Sequence, residues 1–281
     1  MTAGARASTT TAAPASAPAD IAAAFVDARL AARALPGYPG AVPVTMAAGY
    51  AVQEVAIGLW PDEIVGWKVG RVPPELQAAL GAERVAGPAF RSGLKQAAPG
   101  ETVTLAVIPG GFAAVEAEFV YRLGADAPVG RTDWTVEAAL DLVATMHVGV
   151  EFAGSPLKTI NDLGSTVVVS DFGNNAGLIV GPAIPGWRDR PDAALACETW
   201  IGTERVGTGS AASLPGGPAA ALAFLLGHCA ARGRPLTAGQ YVTTGAATGI
   251  HEITAGQSAR VSFGEFGEIL CVAEIARPAV R

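Results

Sequence analysis

The chain has 281 residues, half of them apolar, and a formal net charge of −6. That length allows one large domain or two smaller ones with an ample core, and the acidic balance argues against a nucleic-acid partner, which needs clustered Lys and Arg to neutralise phosphates. Mean hydropathy is high at +0.35, but alanine and glycine supply much of it, and no run of about 18 uninterrupted apolar residues predicts a membrane span.

Residues Thr2 to Ala19 are rich in Ala, Thr, Ser and Pro, lack the continuous apolar core of a secretory signal, and read as a flexible tail. From Pro18 the pattern turns helical: Asp20 is the expected N-cap, and Ile21, Ala24, Phe25, Ala28 and Leu30 share an apolar face. This helix is expected to end near Pro36-Gly37. Thr45 to Leu59 predicts a second helix, with Ala51, Val55 and Leu59 on one side and Gln53 and Glu54 near the other. After the break at Pro61-Asp62, Ile64 to Gly70 reads as a short strand. Its lysine, Lys68, lies among apolar residues and glycines. Either it projects to solvent from an edge strand, or it is buried near carboxylates and supplies a positive charge or a proton-transfer group.

Pro73-Pro74 opens a short helix, Glu75 to Leu80, that Gly81 stops, and Gly87-Pro88 is expected to be a turn. A boundary there divides the chain into a tail (1–19), a helical N-terminal part (20–86) and a main body (87–281). Strands follow at Val103 to Ile108 and Ala114 to Leu123, joined across Pro109-Gly110-Gly111. Glu116 and Glu118 sit two apart in the second, so they share a face about 6 to 7 Å apart. Two like charges on an inward face repel unless something positive lies between them, and a hard divalent cation is the simplest such neighbour.

Beyond a helix predicted from Val136 to Met146, the apolar strand around His147 to Phe152 carries one isolated carboxylate, Glu151, which would complete a three-carboxylate site. Three oxygen ligands suit Mg²⁺ or Mn²⁺ and do not suit Zn²⁺. The same spacing also fits three solvent-facing carboxylates on half-exposed strands, partnered by ordinary lysines.

Asp162 to Val169 and Leu178 to Val180 flank a polar turn at Asp171 to Asn175, and Gly207 to Ser210 reads as a loop. Ala219 to Arg232 predicts an apolar helix, and Tyr241 to Thr244, Ala259 to Phe263 and Ile269 to Val272 predict strands between Gly-rich turns. This order argues for an α+β fold with a β-rich core. No nucleotide-cradling glycine motif and no Gly-x-Ser-x-Gly elbow occurs. His147, His228 and His251 lack metal spacing. Cys197, Cys229 and Cys271 are odd in number, far apart and set in apolar runs, so they read as reduced core residues, with the cytosol as the expected compartment.

Taken in order, Gly66-Trp67-Lys68-Val69-Gly70, Val115-Glu116-Ala117-Glu118, Val150-Glu151, Asn174-Asn175-Ala176-Gly177, and Gly239 to Gly245 with Gly256-Gln257 resemble one family. It is the 2-keto-4-pentenoate hydratase and 4-oxalocrotonate decarboxylase branch of the fumarylacetoacetate hydrolase superfamily, and the resemblance runs from about Gln53 to the end. It implies a β-roll body with a small N-terminal helical part. It also implies Mg²⁺ (or Mn²⁺) held by Glu116, Glu118 and Glu151, and a small 2-keto acid chelating that metal through its carboxylate and keto oxygens. Lys68 matches the family's active-site lysine. A divalent ion polarising the keto oxygen stabilises an enolate, and Lys68 steadies the developing charge or moves a proton between carbons. Hydration of a 2-hydroxypenta-2,4-dienoate and vinylogous decarboxylation of a 4-oxalocrotonate-type acid share that requirement, with hydration expected first. The resemblance and the apolar composition favour a homo-oligomer.

The chain departs from the family pattern in two places. Hydratases of the family usually carry an acidic residue shortly after the lysine segment, where this chain has Val85-Ala86-Gly87-Pro88; Glu83 is the available substitute. Where the family often reads Ala-Asp-Asn-Ala-Ser, this chain has Gly173-Asn174-Asn175-Ala176-Gly177, losing an acid and a hydroxyl; Ser170 and Asp171, just before, are the candidates to restore them. These losses keep open a non-catalytic protein that binds a small acid or only builds an assembly. The superfamily's hydrolases typically use a His and Glu pair after the lysine region. This chain has no His before His147, which ranks C–C bond hydrolysis lower.

Overall fold

A strand buried on both faces shows consecutive rather than alternating apolar residues, and two stretches do so. Phe112–Leu123 is buried everywhere except Arg122, and Val143–Ser155 is buried without a break from Val148. They pair antiparallel along their length in the middle of the larger of two sheets. The computed structural model describes residues 17–279.

In chain order the first half contains α1 (Pro18–Leu30), α2 (Met46–Leu59), β1 (Ile64–Arg71), α3 (Pro74–Leu80), β2 (Arg84–Phe90), β3 (Leu94–Gln96), β4 (Thr102–Val107), β5 (Phe112–Leu123), α4 (Val136–Leu140) and β6 (Val143–Ser155). The second half contains α5 (Ser165–Ser170), β7 (Asn175–Ala183), β8 (Ala196–Ile201), β9 (Glu204–Ser210), α6 (Gly217–Ala231), β10 (Tyr241–Thr243), β11 (His251–Glu252), β12 (Ser258–Ser262) and β13 (Glu268–Ile275). The larger sheet runs β2-β1-β10-β5-β6-β7-β3, with β11 also paired to β5, and the smaller runs β4-β13-β12-β8-β9. β4 and β5, consecutive in the chain, lie in different sheets, so Pro109 to Gly111 carries the chain from one to the other. Phe119 of β5 meets Phe263, just after β12, edge-on at 5.6 Å between ring centres. This is an α+β fold, as expected. No helix among the described residues is long and apolar enough to cross a membrane, and Cys197, Cys229 and Cys271 are buried and unpaired.

Several local expectations need correction. The putting of residues 1–19 into a tail is too long, since α1 starts at Pro18; residues 1–16 lie outside the described part. Asp20 is not the N-cap: Ala17 is, and Asp20 accepts the Ala17 N–H at 3.3 Å from within the first turn. The helix stops at Leu30, well short of Pro36. On α2 the buried face is Met46, Gly49, Val52, Gln53, Ala56 and Ile57, while Ala51 and Leu59 are exposed. Gln53 reverses the polarity argument because its amide is fully used. It donates to Ala86 O (3.0 Å) and Val169 O (2.8 Å) and accepts from Arg232 (2.9 Å), tying the helix to β2, α5 and the end of α6.

Gly87-Pro88 is not a turn but the middle of β2, so a boundary between 86 and 87 cuts a paired strand. Pro88 is tolerated because β2 is the edge of its sheet. The helix expected over Val136 to Met146 stops at Leu140, because Val143 already pairs with Leu123. Ser165–Ser170 is helical, and Gly207 to Ser210 belongs to strand β9. A Cβ on Gly209 would lie 2.0 Å from Ala247 O, so that glycine marks close packing rather than a loop.

Candidate active site

The β5–β6 register sets Glu116 directly opposite Glu151, with Glu118 two residues along the same face. All three are buried, and one carboxylate oxygen from each lies within 4.8 Å of the others. The solvent-facing alternative for these residues therefore fails. Like charges placed directly across a strand pair destabilise it, and the acidities follow. Burial, then the neighbouring Glu151 charge, push the Glu116 carboxyl up despite Lys68. Burial, then Glu151 and Glu116, push Glu118 well above the usual carboxylate range.

Lys68 of β1 is 5% exposed, and its Nζ lies 3.2 Å from Glu151 Oε1. Burial on its own pulls its ammonium down, but Glu151, Glu116 and Glu118 together outweigh that, and the net direction is up. Glu151 Oε1 also accepts from Asn175 Nδ2 at 3.1 Å, and Glu118 Oε2 accepts the Gly245 N–H at 2.7 Å. Glu118 Oε1 and Glu151 Oε2 are buried without a hydrogen-bond partner. Unpartnered buried carboxylate oxygens in an all-oxygen set fit a hard divalent cation of the Mg²⁺ or Mn²⁺ type; Glu116, Glu118 and Glu151 would hold it.

The stem of Lys68 runs beside the turn Phe172-Gly173-Asn174, whose φ angles are 53, 66 and 64°. Gly87, paired opposite Lys68, leaves room for this turn, since a Cβ there would sit 2.0 Å from Phe172 O. A Cβ on Gly173 would sit 3.2 Å from Lys68 Cδ, so turn and lysine stem are in contact range. Phe172 is wedged edge-on against Trp60 and Phe90. Asp171 anchors the turn: Arg29 of α1 bonds both its oxygens at 2.6 and 2.9 Å, and Ser155 Oγ donates to it at 2.6 Å.

A cavity of about 690 Å³ opens over this centre, with Lys68, Glu116, Gly173, Asn174 and Gly245 in its wall and Arg71, Arg84, Leu76 and Ile250 further round. Ser170 and Asp171 do not line it. Ser170 donates to Thr166 O at 2.8 Å and accepts from Tyr38 at 3.2 Å, and Asp171 is committed to Arg29 and Ser155. Glu83 reaches the cavity, but its side chain is 76% exposed and lies 3.7 Å from Arg84. None of the three histidines lines it: His147 bonds Thr145 and Gly181 O, for example. Sequence reasoning missed Arg29, whose role depends on a contact with Asp171 far along the chain, and it treated Asn174 only as a departure.

No protein-family model matches the chain. Among solved structures, it is similar to 4-oxalocrotonate decarboxylase from Pseudomonas putida G7 in complex with magnesium and adipate, at 20% identity and TM-score 0.74 over 91% of this chain and 97% of that one. The same enzyme with calcium and acetate gives a TM-score of 0.73. Fumarylpyruvate hydrolase from Pseudomonas aeruginosa, with Mn²⁺ and pyruvate, matches at 16% identity and TM-score 0.56, over 74% of this chain and 88% of that one. The chain shares its fold with these enzymes, and the decarboxylase is matched over more of both chains than the hydrolase.

Proposed function

We propose that the protein is a divalent-metal-dependent lyase acting on a small 2-keto acid, and that it hydrates a 2-hydroxypenta-2,4-dienoate-type substrate. The observation that carries the reading is the cluster of three buried carboxylates, two of them with an unpartnered oxygen, salt-bridged to a buried lysine beneath a cavity. Mg²⁺ or Mn²⁺ bound by Glu116, Glu118 and Glu151 supplies Lewis-acid polarisation of a keto oxygen. Lys68, held as an ammonium by its acidic neighbours, binds a developing oxyanion or a substrate carboxylate and gives a proton to carbon.

Vinylogous decarboxylation is the second reading, favoured by Arg71 and Arg84, which offer cations in the cavity wall to a distal carboxylate. Hydration ranks first because Asn174 brings an unpartnered acceptor to that wall. The dianionic substrate of the decarboxylation, in its keto form, has no O–H to donate to it.

The purified protein is to be assayed with 2-hydroxypenta-2,4-dienoate and with 2-oxohex-3-enedioate, with and without Mg²⁺, following diene absorbance and CO₂. Metal-dependent hydration of the first without CO₂ is expected. CO₂ from the second, with no hydration of the first, moves the assignment to decarboxylation. No metal-dependent turnover of either leaves a non-catalytic acid-binding protein.

A further inference from the structure

The hydratase reading needs a group that holds the adding water, and the three residues first suggested for it are committed elsewhere or lie in solvent. Asn174 is different. It is 3% exposed and lines the cavity, yet its Oδ1 has no partner, and its Nδ2 makes only a long 3.4 Å contact to Asn161 Oδ1. Buried acceptors are rarely left unmatched, and one at a cavity wall is a place for a ligand or water donor.

The backbone points the same way. Phe172, Gly173 and Asn174 are three successive residues with positive φ, two of them not glycine. Such strain persists only where the surroundings over-determine it, and it concentrates at functional sites. Here the Arg29–Asp171 clamp, the Trp60 and Phe90 rings and the side-chain-free Gly87 do so.

We propose that Asn174 orients the water that adds to the substrate, a role that rests on the hydratase reading above. Its Oδ1 accepts one O–H of the water and leaves an oxygen lone pair for C4. The proton of the substrate's 2-hydroxyl first moves to C5, giving the 2-oxo-3-enoate. The water oxygen then bonds to C4 as the C3=C4 pair shifts toward the keto oxygen. Lys68 gives its proton to C3 and takes one from the added water, so substrate plus one water gives the 4-hydroxy-2-oxo acid and no other reactant is consumed. An amide orients water without deprotonating it, as the water-positioning glutamine of GTPases does. Lys68 therefore carries the proton.

Asn174→Gly removes the amide while suiting the positive φ, so the variant should fold with an unchanged or higher melting temperature. Hydration turnover is expected to fall about tenfold or more, the scale of one lost hydrogen bond. Metal-dependent exchange of the C5 hydrogens in D₂O, which needs no added water, should continue at the wild-type rate, with Mg²⁺ affinity unchanged. Asn174→Asp, which keeps an acceptor oxygen, should recover most of the lost turnover. Full hydration by Asn174→Gly, or an equal loss of hydration and exchange, overturns this role alone. If the wild type decarboxylates but does not hydrate, the hydratase reading and this role fall together.

Discussion

Replacing Lys68 by Met separates what the lysine does for chemistry from what it does for charge. With a dication bound, three carboxylates, the metal and the ammonium sum to no net charge; the substitution leaves one buried negative charge. At 3.2 Å, the Lys68–Glu151 attraction is worth about 5 kcal/mol at an effective dielectric of 20, against which stands the desolvation of both ions. The metal responds to the same field. Without a competing ammonium, Mg²⁺ affinity should be kept or tightened, whereas turnover at saturating substrate should fall at least about a hundredfold, the scale for losing a proton-transfer group or charge-stabilising donor. The assay is kcat and KM with 2-hydroxypenta-2,4-dienoate, with bound Mg²⁺ titrated calorimetrically on the same preparation. A kcat within about threefold of wild type, with metal bound, would mean that Lys68 only neutralises the glutamates.

Changing Glu116, Glu118 or Glu151 singly to Gln should weaken Mg²⁺ binding and activity together while the fold survives; full activity in all three after chelator treatment and Mg²⁺ readdition would place the metal elsewhere. Arg29→Ala strands the buried Asp171 carboxylate and should cost roughly 3–5 kcal/mol in urea unfolding, with turnover falling as the turn beside Lys68 loosens; a loss under about 1 kcal/mol would show that the clamp is not needed. Burial, then the Arg232 charge, pull His228 down to about 4 despite Glu54. The unfolded chain takes up that proton near its ordinary 6.5 and the folded chain only near 4, so this component of stability is lost as pH falls across that interval. His228→Phe should flatten the stability profile there; identical slopes would refute the assignment.

The three carboxylates stood out because their signal is local, charges two apart in an apolar run and one more in another; spacing alone left solvent exposure open, the family resemblance favoured a shared cation, and the β5–β6 register brings the three together. Lys68 stood out as a lone charge among apolar residues and glycines, with exposure and burial both open until its contact with Glu151 decided for burial. The rest depended on pairing across the chain. Gln53 looked like a solvent residue because its three partners lie on three other elements. Gly87-Pro88 looked like a turn because edge position and the approach of Phe172 cannot be read from a dipeptide. Val143 to Met146 kept a helical pattern but lost to the β5 ladder. Ser170 and Asp171 were polar groups in the right neighbourhood with the wrong orientation, since Arg29 and Tyr38 already hold them.

The direct Glu116–Glu151 pairing sets the chain's resilience against its purpose. Val115, Ala117 and Phe119 alternate with Glu116 and Glu118 and are fully buried, so slipping the register to separate the charges would put acids into the core. Strand pairing and carboxylate crowding therefore arrive together. In the metal-free chain, burial and crowding push the Glu116 and Glu118 carboxyls up, so stability is lost as pH climbs above the ordinary carboxylate range. Glu118→Leu should make the metal-free protein hardier than its parent while abolishing its work. A screen that rewards heat tolerance alone would erase this site first, and variants chosen for endurance need selection with Mg²⁺ and substrate present.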